Sequence, residues 1–327
     1  MCPSDSTRGA QPVHAAATAT AGTRGADTPT EIQSVLTSLT IQPRKRVLPI
    51  AGTVVVLVLL AGLLWDVATN ERFRWGIVLE YLFHPQILAG AGLTVALTVI
   101  AMVIGVVLGV VLAVMRLSAN PTFSLLARGY IWFFRGTPQL VQLIFWYNIA
   151  ALYPVIALGL PFGGPSIELG SANVLITPLT AAILGLSLNE AAYMAEIIRS
   201  GIMSVDPGQR DAGHALGMTE GKLMRRVILP QAMRVVIPPT GNEVISMLKG
   251  TSLVSVLAIS DLLYSAQIIY ALNYQTIPLL LVACAWYLVL TSLLTAVQTR
   301  IERRYGRGFQ PRPVKQKRQT ASEGAAK

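Results

Sequence analysis

Long runs without a charged residue are the feature that most limits how this chain can fold. The longest run has 38 residues and covers 262–299, and another of 35 residues covers 81–115. A helix that crosses the hydrocarbon core of a membrane needs about 20 predominantly apolar residues. Charged residues make up only 13% of the chain, against about 25% in an average soluble domain. The sequence therefore predicts a polytopic membrane protein rather than a soluble globular domain.

Six membrane-spanning helices are predicted from these apolar stretches, in an all-α fold. Their approximate bounds are 47–67, 87–115, 138–158, 176–198, 238–260 and 276–298. Basic residues give the direction, because Lys and Arg accumulate on the cytoplasmic side of membrane proteins. Arg44, Lys45 and Arg46 precede the first span, and nine basic residues follow Thr299. Both termini and the 199–237 loop are therefore predicted to be cytoplasmic.

Four segments are predicted along the chain. Residues 1–46 form a disordered cytoplasmic tail, 47–86 the first span with an external linker, 87–300 the domain that holds the other five spans, and 301–327 a basic cytoplasmic tail. Two cysteines and three scattered histidines provide neither a disulfide framework nor a metal-ligand cluster. We therefore expect no catalytic residue, cofactor or metal in this chain.

The 199–237 loop carries an ordered pattern of helix signals. Asp206-Pro207-Gly208 is typical of a turn, and a short helix is predicted over Gln209–Gly217, where the glycine favours a left-handed helix end. Thr219 is predicted to cap a second helix that ends near Pro230. The result is a helix–glycine–helix elbow beneath the membrane. Because short helices are marginal in water, this elbow should rest on a partner.

The elbow resembles the Glu-Ala-Ala loop of ABC importer permeases. Asp211-Ala212-Gly213, Gly217 and Val227-Ile228-Leu229-Pro230 follow the spacing of that loop, with Asp for Glu, Gly for the second Ala and Val for Ile. The resemblance implies that a cytoplasmic ATPase docks on the coupling residues Asp211, Ala212, Gly213, Gly217, Val227, Leu229 and Pro230. Relative to alanine, Gly213 is expected to loosen the first helix by about 0.5–1 kcal/mol.

Three further motifs are similar to those of polar amino-acid permeases of the histidine, glutamate, glutamine, arginine and opine type. They are Phe134-Arg135-Gly136-Thr137-Pro138 with the following Gln139-Leu140-Val141-Gln142, the stretch 189–202, and Gly241-Asn242-Glu243 with the stretch 248–253. The resemblance covers about residues 87–300 and implies a five-helix core with one extra N-terminal helix in the bacterial inner membrane. It also implies three kinds of partner: a second or related permease, an ATPase dimer and an extracytoplasmic amino-acid-binding protein.

Ionisable residues inside predicted spans usually face a cavity or a partner. We interpret Asn189, Glu190, Lys249 and Thr251 as candidate residues of the substrate path, with Glu190 contacting the ammonium group of an amino acid. The alternative is structural, with Glu190 paired to Lys249 or a neighbouring amide, and with the polar side chains joining helices. Arg135 is predicted to be a topology anchor, with a contact to the ATPase or to the partner permease as the alternative.

The sequence contains no G-x-x-x-x-G-K motif followed by Ser or Thr, so ATP hydrolysis is expected in a partner subunit. We therefore predict the permease subunit of an ATP-driven, binding-protein-dependent importer of polar amino acids. One alternative is an ion-gradient-driven secondary transporter, which would explain Glu190 and Lys249 but would leave the elbow unexplained. Such transporters typically contain an internal repeat, and this sequence shows no convincing one. Another is a membrane scaffold without transport, which would not require charged groups in the spans.

Overall fold

The computed structural model describes residues 47–159, 164 and 166–305, and this part of the chain is mostly helical. The tail predicted for residues 1–46 and residues 306–327 of the basic tail lie outside the described residues. The chain divides into two units, residues 1–66 and 67–327. The first helix belongs for the most part to the first unit, and the bundle described below belongs to the second.

Helices and one hairpin follow each other in a simple order. Helices α1 to α4 cover Val47–Thr69, Trp75–Leu82, Pro85–Leu117 and Pro121–Gly136, and α5 covers Gln139–Tyr147. Antiparallel strands β1, Val155–Gly159, and β2, Ser166–Ser171, form the hairpin. Helices α6 to α9 cover Ala172–Leu175, Pro178–Met203, Pro207–Ala215 and Glu220–Leu223, and a π-helical turn at Met224–Ile228 leads into α10, Leu229–Gly250. A 3₁₀ turn at Thr251–Leu257 precedes α11, Leu262–Asn273, and α12, Thr276–Tyr305.

Four predicted spans are confirmed as long apolar helices. Helices α1, α3, α7 and α12 are each long and apolar enough to cross a membrane. The helical stretches 220–257 and 262–273, which meet at an angle of 45°, give a fifth span if they cross together. The described residues therefore provide four or five candidate spans, and the predicted number of six is not confirmed.

The predicted third span, 138–158, is wrong as a continuous helix. Helix α5 has only nine residues and ends at Tyr147. The side-chain amide of the next residue, Asn148, donates to the Ile144 carbonyl at 2.8 Å. Pro154 then opposes a return to helix, because proline lacks an N–H and restricts the residue before it. The hairpin follows instead. Helix α4 lies between the predicted second and third spans, where no helix is predicted, and it meets α5 at the break Thr137–Pro138.

Close packing of α3 against α7 forms the centre of the bundle. A Cβ atom at Gly105 would lie 2.6 Å from Glu190 Cγ, and a Cβ atom at Gly109 would lie 2.6 Å from Met194 Cβ. Carbon atoms do not approach so closely, and the two helices could keep their present separation only with glycine at both positions. Small residues one turn apart commonly permit such contacts between membrane helices.

The opposite face of α3 is a row of exposed valines. Val99, Val103, Val107 and Val114 are each more than half exposed, and their spacing places them along one side of the helix. In water such a face would require a partner. Lipid tails would provide an apolar surrounding for these valines, which fits α3 as a helix able to span a membrane.

A polar cluster holds the break between the 3₁₀ turn and α11. Asp261 is fully buried, and its carboxylate accepts from the Tyr264 N–H at 2.9 Å and from the Tyr287 hydroxyl at 3.3 Å. The N–H of Leu262 donates to Thr94 Oγ1 at 3.1 Å. These bonds connect the start of α11 to both α3 and α12, and they satisfy polar groups that would be costly without partners inside a membrane.

Candidate translocation site and coupling elbow

A polar cavity of about 600 Å³ is formed by α7, α10 and the α4–α5 break. Thr137 is extended because it precedes a proline, so α4 ends there and a new helix begins after Pro138. The side chains and backbone that line the cavity belong to Arg135, Gly136, Thr137, Pro138, Gln139, Asn189, Glu190, Tyr193, Glu243, Ser246 and Met247. The lining thus includes two carboxylates and one guanidinium.

Glu190 is the most buried ionisable group of the cavity lining. Its side chain is 3% exposed, and its Oε1 atom has no hydrogen-bond partner among the residues that the structure describes. An ion pair with Lys249 is not formed, since the ion pairs found in the described ranges are Glu196–Arg199 and His214–Glu220. An unpaired carboxylate inside a membrane span is costly, which favours a role in contacting a ligand over a role in joining helices.

Arg135 and Glu243 also line the cavity, although neither belongs to the path residues predicted from the sequence. The guanidinium carbon of Arg135 lies 5.2 Å from the centre of the Tyr193 ring, within range of a cation–π interaction. Glu243 is half-buried on α10. It could have been found by the rule that identified Glu190, because it too is an acid in a largely apolar stretch.

Asn189 lies in the cavity wall but serves as a helix connector. Its side-chain amide donates to the Phe134 carbonyl at 2.9 Å and to Gln142 Oε1 at 3.1 Å. Asn189 therefore joins α7 to the two helices that meet at the α4–α5 break. This arrangement supports the structural alternative for Asn189.

The two remaining candidate path residues are not part of the cavity lining. Lys249 is exposed on α10. Thr251 is fully buried, and its hydroxyl donates to the Leu248 carbonyl at 2.7 Å. The structure thus brings Asn189 and Glu190 together at one cavity and places Lys249 and Thr251 elsewhere.

The elbow has the predicted order of helix, left-handed glycine and second helix. Helix α8 begins behind Asp206, whose carboxylate accepts from the Gly208 N–H at 2.7 Å. Gly217 has a φ of 72°, which is the left-handed conformation expected of it. Helix α9 begins after Thr219, although the Thr219 side chain makes no capping hydrogen bond.

The prediction that the second helix ends near Pro230 is wrong. The chain is helical without a break from Glu220 to Gly250. Proline cannot donate to the carbonyl four residues earlier, and the wider π-helical turn at Met224–Ile228 accommodates this loss. The elbow is therefore continuous with α10, the helix that carries Glu243.

Gly213 is a packing position and not simply a weak helix former. A Cβ atom there would overlap the Leu223 side chain, which is fully buried beside Ile202, Ile228 and Ala232. Alanine would have to displace Leu223, so the expected gain in helix propensity would be offset by overpacking. Glycine at position 213 thus leaves the space that the Leu223 side chain occupies.

Most coupling residues are available to a partner. Asp211, Ala212, Gly217, Leu229 and Pro230 are exposed, whereas Val227 is half-buried and Gly213 is buried. Leu216, between the two helices of the elbow, is 81% exposed. The elbow therefore presents both polar and apolar side chains on its surface.

A bundle of apolar helices that lines a polar cavity and presents an exposed elbow between α7 and α10 defines a membrane permease. A family described as "Binding-protein-dependent transport system inner membrane component" matches residues 105–307. The chain belongs to this family and is a permease subunit of a binding-protein-dependent ABC importer.

The chain is similar to several amino-acid permeases. It is 48% identical to the arginine transport system permease protein ArgU of Corynebacterium glutamicum, over 78% of this chain and 79% of that protein. It is 37% identical to the L-cystine transport system permease protein TcyB of Bacillus subtilis, over 71% of this chain and 92% of that protein. A chain from the crystal structure of an amino acid ABC transporter with histidines has a TM-score of 0.58 and 37% identity, with 68% of this chain and 95% of that chain covered.

Family membership decides between the functional alternatives. It favours the ATP-driven importer over the ion-gradient-driven transporter and over the scaffold. It identifies the chain as a transport component of the inner membrane, and it implies an ATPase subunit and a substrate-binding protein as partners.

Proposed function

We propose that this chain forms the translocation path of an importer for polar amino acids and that its polar cavity binds the cationic ones. The observation that carries the proposal is Glu190, a buried carboxylate with an unpartnered oxygen beside a cavity that also holds Glu243 and Arg135. A cationic amino acid has two positive groups and one carboxylate. This pattern complements two carboxylates and one guanidinium, with the substrate carboxylate beside Arg135. The similarity to an arginine permease supports the same substrate class.

The elbow is the proposed contact with a cytoplasmic ATPase dimer, and a second or related permease completes the path. The exposure of five of the seven coupling residues and the continuity of the elbow with α10 support this assignment. Closure of the ATPase dimer on ATP would draw the two elbows together. Since α10 lines the cavity, the same movement would change the side of the membrane from which the cavity is open. ATP hydrolysis would return the permease to its starting state.

The proposed organisation keeps residues 87–300 as the transport domain, 47–86 as an additional N-terminal span with its linker, and both termini in the cytoplasm. The accumulation of basic residues before residue 47 and after residue 299 supports this orientation. In this orientation the β1–β2 hairpin, between α5 and α7, lies on the outer side. It is there available to the extracytoplasmic binding protein.

Amino-acid binding by the purified permease–ATPase complex tests the substrate class. We expect the complex to bind arginine and lysine at least about tenfold more tightly than glutamine or glutamate, since a ligand without a second cation leaves one cavity carboxylate unpaired. Equilibrium dialysis without the binding protein measures this preference, because the binding protein has a selectivity of its own. Equal affinity for arginine and glutamate would contradict the substrate class, and no binding of any amino acid would contradict the role of the cavity.

A matched pair of glycine substitutions tests the coupling role of the elbow. Within the described ranges, an added Cβ at Gly217 or at Gly221 would have no neighbouring atom within 4 Å, but of the two only Gly217 has a positive φ. Gly217→Ala should destabilise the elbow by about 1–2 kcal/mol, whereas Gly221→Ala should stabilise its helix by about 0.5–1 kcal/mol. We expect Gly217→Ala to lower the amount of ATPase that copurifies with the permease. Equal copurification by the two variants would argue against the proposed coupling contact.

A further inference from the structure

Pro138 leaves one carbonyl of α4 without its usual helical donor. In a continuous α-helix the carbonyl of residue 134 accepts from the N–H of residue 138, and proline has no N–H. Phe134 is only 7% exposed, so water does not readily replace the missing donor. A buried carbonyl without a partner costs free energy comparable to a lost hydrogen bond. The break at Pro138 therefore requires donors from elsewhere in the bundle.

Two side-chain amides, which we name the amide clamp, supply these donors. Asn189 Nδ2 donates to the Phe134 carbonyl at 2.9 Å, and Gln142 Nε2 donates to the same oxygen at 3.0 Å. Asn189 Nδ2 also donates to Gln142 Oε1 at 3.1 Å, which links the two amides. Gln142 Nε2 further lies 2.7 Å from Thr137 Oγ1 and 3.1 Å from the Thr137 carbonyl. Gln142 and Asn189 are 5% and 7% exposed, so both amides are shielded from competing water.

The amide clamp holds the segment that provides one wall of the polar cavity. All of residues 135–139 line the cavity, and Asn189 immediately precedes Glu190 on α7. The bonds between the clamp and the break therefore fix the position of the Arg135 backbone relative to that of Glu190. Both N–H groups of the Asn189 amide are used within the clamp, which leaves neither of them for a ligand.

We propose that Gln142 and Asn189 are positioning residues for substrate binding. By satisfying the carbonyl that Pro138 leaves free, they keep Arg135 and Glu190 at the separation that a single amino acid can bridge. This inference rests on the proposed function of the cavity. It assigns to the two amides a role in affinity, exerted through the cavity walls and without contact to the substrate.

Isosteric substitutions in the permease–ATPase complex test this role. Gln142→Glu keeps the shape of the side chain but removes both of its N–H donors, and Asn189→Asp does the same at the other amide. We expect each to weaken arginine binding about tenfold and to raise the KM for uptake in the same ratio, with little change in kcat. In the double variant Gln142→Ala with Asn189→Ala, the loss should be close to that of one single substitution, because the two amides act as a unit.

A distance measurement tests the clamp without any substrate. Spin labels at Leu125→Cys on α4 and Phe145→Cys on α5, both at exposed positions, report the angle across the break. The native Cys2 and Cys284 are replaced by serine in this background. We expect a broader or shifted distance distribution in Gln142→Glu and Asn189→Asp. The control is Gln86→Glu at the start of α3, the same change of amide to carboxylate at a residue outside the break, and its distance distribution and KM should match those of the parent.

Each outcome decides one part of the inference. An unchanged label distance in both clamp variants overturns the clamp. A changed distance with an unchanged affinity for arginine overturns the positioning role while leaving the proposed function intact. If the parent complex binds no amino acid, the proposed function fails, and with it the positioning role, whereas the label distance still decides whether the clamp holds the break.

Discussion

Replacement of Glu190 by glutamine is expected to weaken arginine binding by the permease–ATPase complex by roughly 10- to 100-fold and to leave the complex assembled. A hydrogen bond to a charged group contributes roughly 1.5–3 kcal/mol, which corresponds to that range. Glutamine has the shape of glutamate, so the contact of residue 190 with Gly105 is retained. Equilibrium dialysis of labelled arginine measures the loss of affinity, and uptake into ATP-loaded proteoliposomes measures its effect on transport.

The Glu190 experiment has a control of the same chemistry on the β1–β2 hairpin. Glu168 is exposed on β2, and Glu168→Gln should change neither binding nor uptake. The yield of assembled complex separates the two roles of Glu190. A structural ion pair would lose stability on substitution, whereas a carboxylate without a partner should lose none. Unchanged affinity for arginine would remove Glu190 from the substrate path.

Replacement of Gly109 by leucine is expected to abolish the folded permease. A Cβ atom at this position would lie 2.6 Å from Met194 Cβ and 3.2 Å from the Ala191 carbonyl oxygen, so the backbones of α3 and α7 would have to separate. Overpacking of a core by flexible side chains costs about 1–3 kcal/mol, and a backbone contact leaves less room to adjust. We expect the yield of monodisperse complex in size-exclusion chromatography to fall more than tenfold, by analogy with other large destabilisations.

Gly92 provides the matched control on the same helix. It is exposed, and an added Cβ would have no atom within 4 Å in the described part of the chain. Gly92→Leu should therefore assemble as the parent does and should retain its thermal stability. Similar yields for the Gly109 and Gly92 variants would show that the contact of α3 with α7 does not control folding.

The long helices could be predicted from sequence because they depend mainly on one quantity, the hydropathy averaged over a long stretch. Helices α1, α3, α7 and α12 each coincide with a long apolar stretch. In a membrane such a stretch forms a helix, because lipid cannot hydrogen-bond the backbone and the helix satisfies the backbone groups internally. The stretch 138–158 is also free of charged residues, yet Asn148 and Pro154 end the helix early. Hydropathy averages over such residues, so their effect on hydrogen bonding is not visible in it.

The candidate site was only partly predictable, for geometric reasons. Glu190 and Glu243 could both be recognised as acids in apolar stretches. Arg135 enters the cavity because the chain breaks at Pro138, and the direction taken after a break depends on contacts with distant residues such as Asn189. The exposure of Lys249 depends on which face of α10 packs inward, a choice that the mixed sequence of that helix does not reveal.

The uninterrupted helix from Glu220 to Gly250 has a mechanical consequence. Glu243 lies 23 residues beyond the start of α9, or about 35 Å along the axis at 1.5 Å per residue. Pro238 and Pro239 remove two hydrogen bonds between these ends and so make one point of the rod easier to bend. A lateral displacement of the elbow would therefore rotate the segment that carries Glu243 about Pro238 and Pro239, and so change the shape of the cavity.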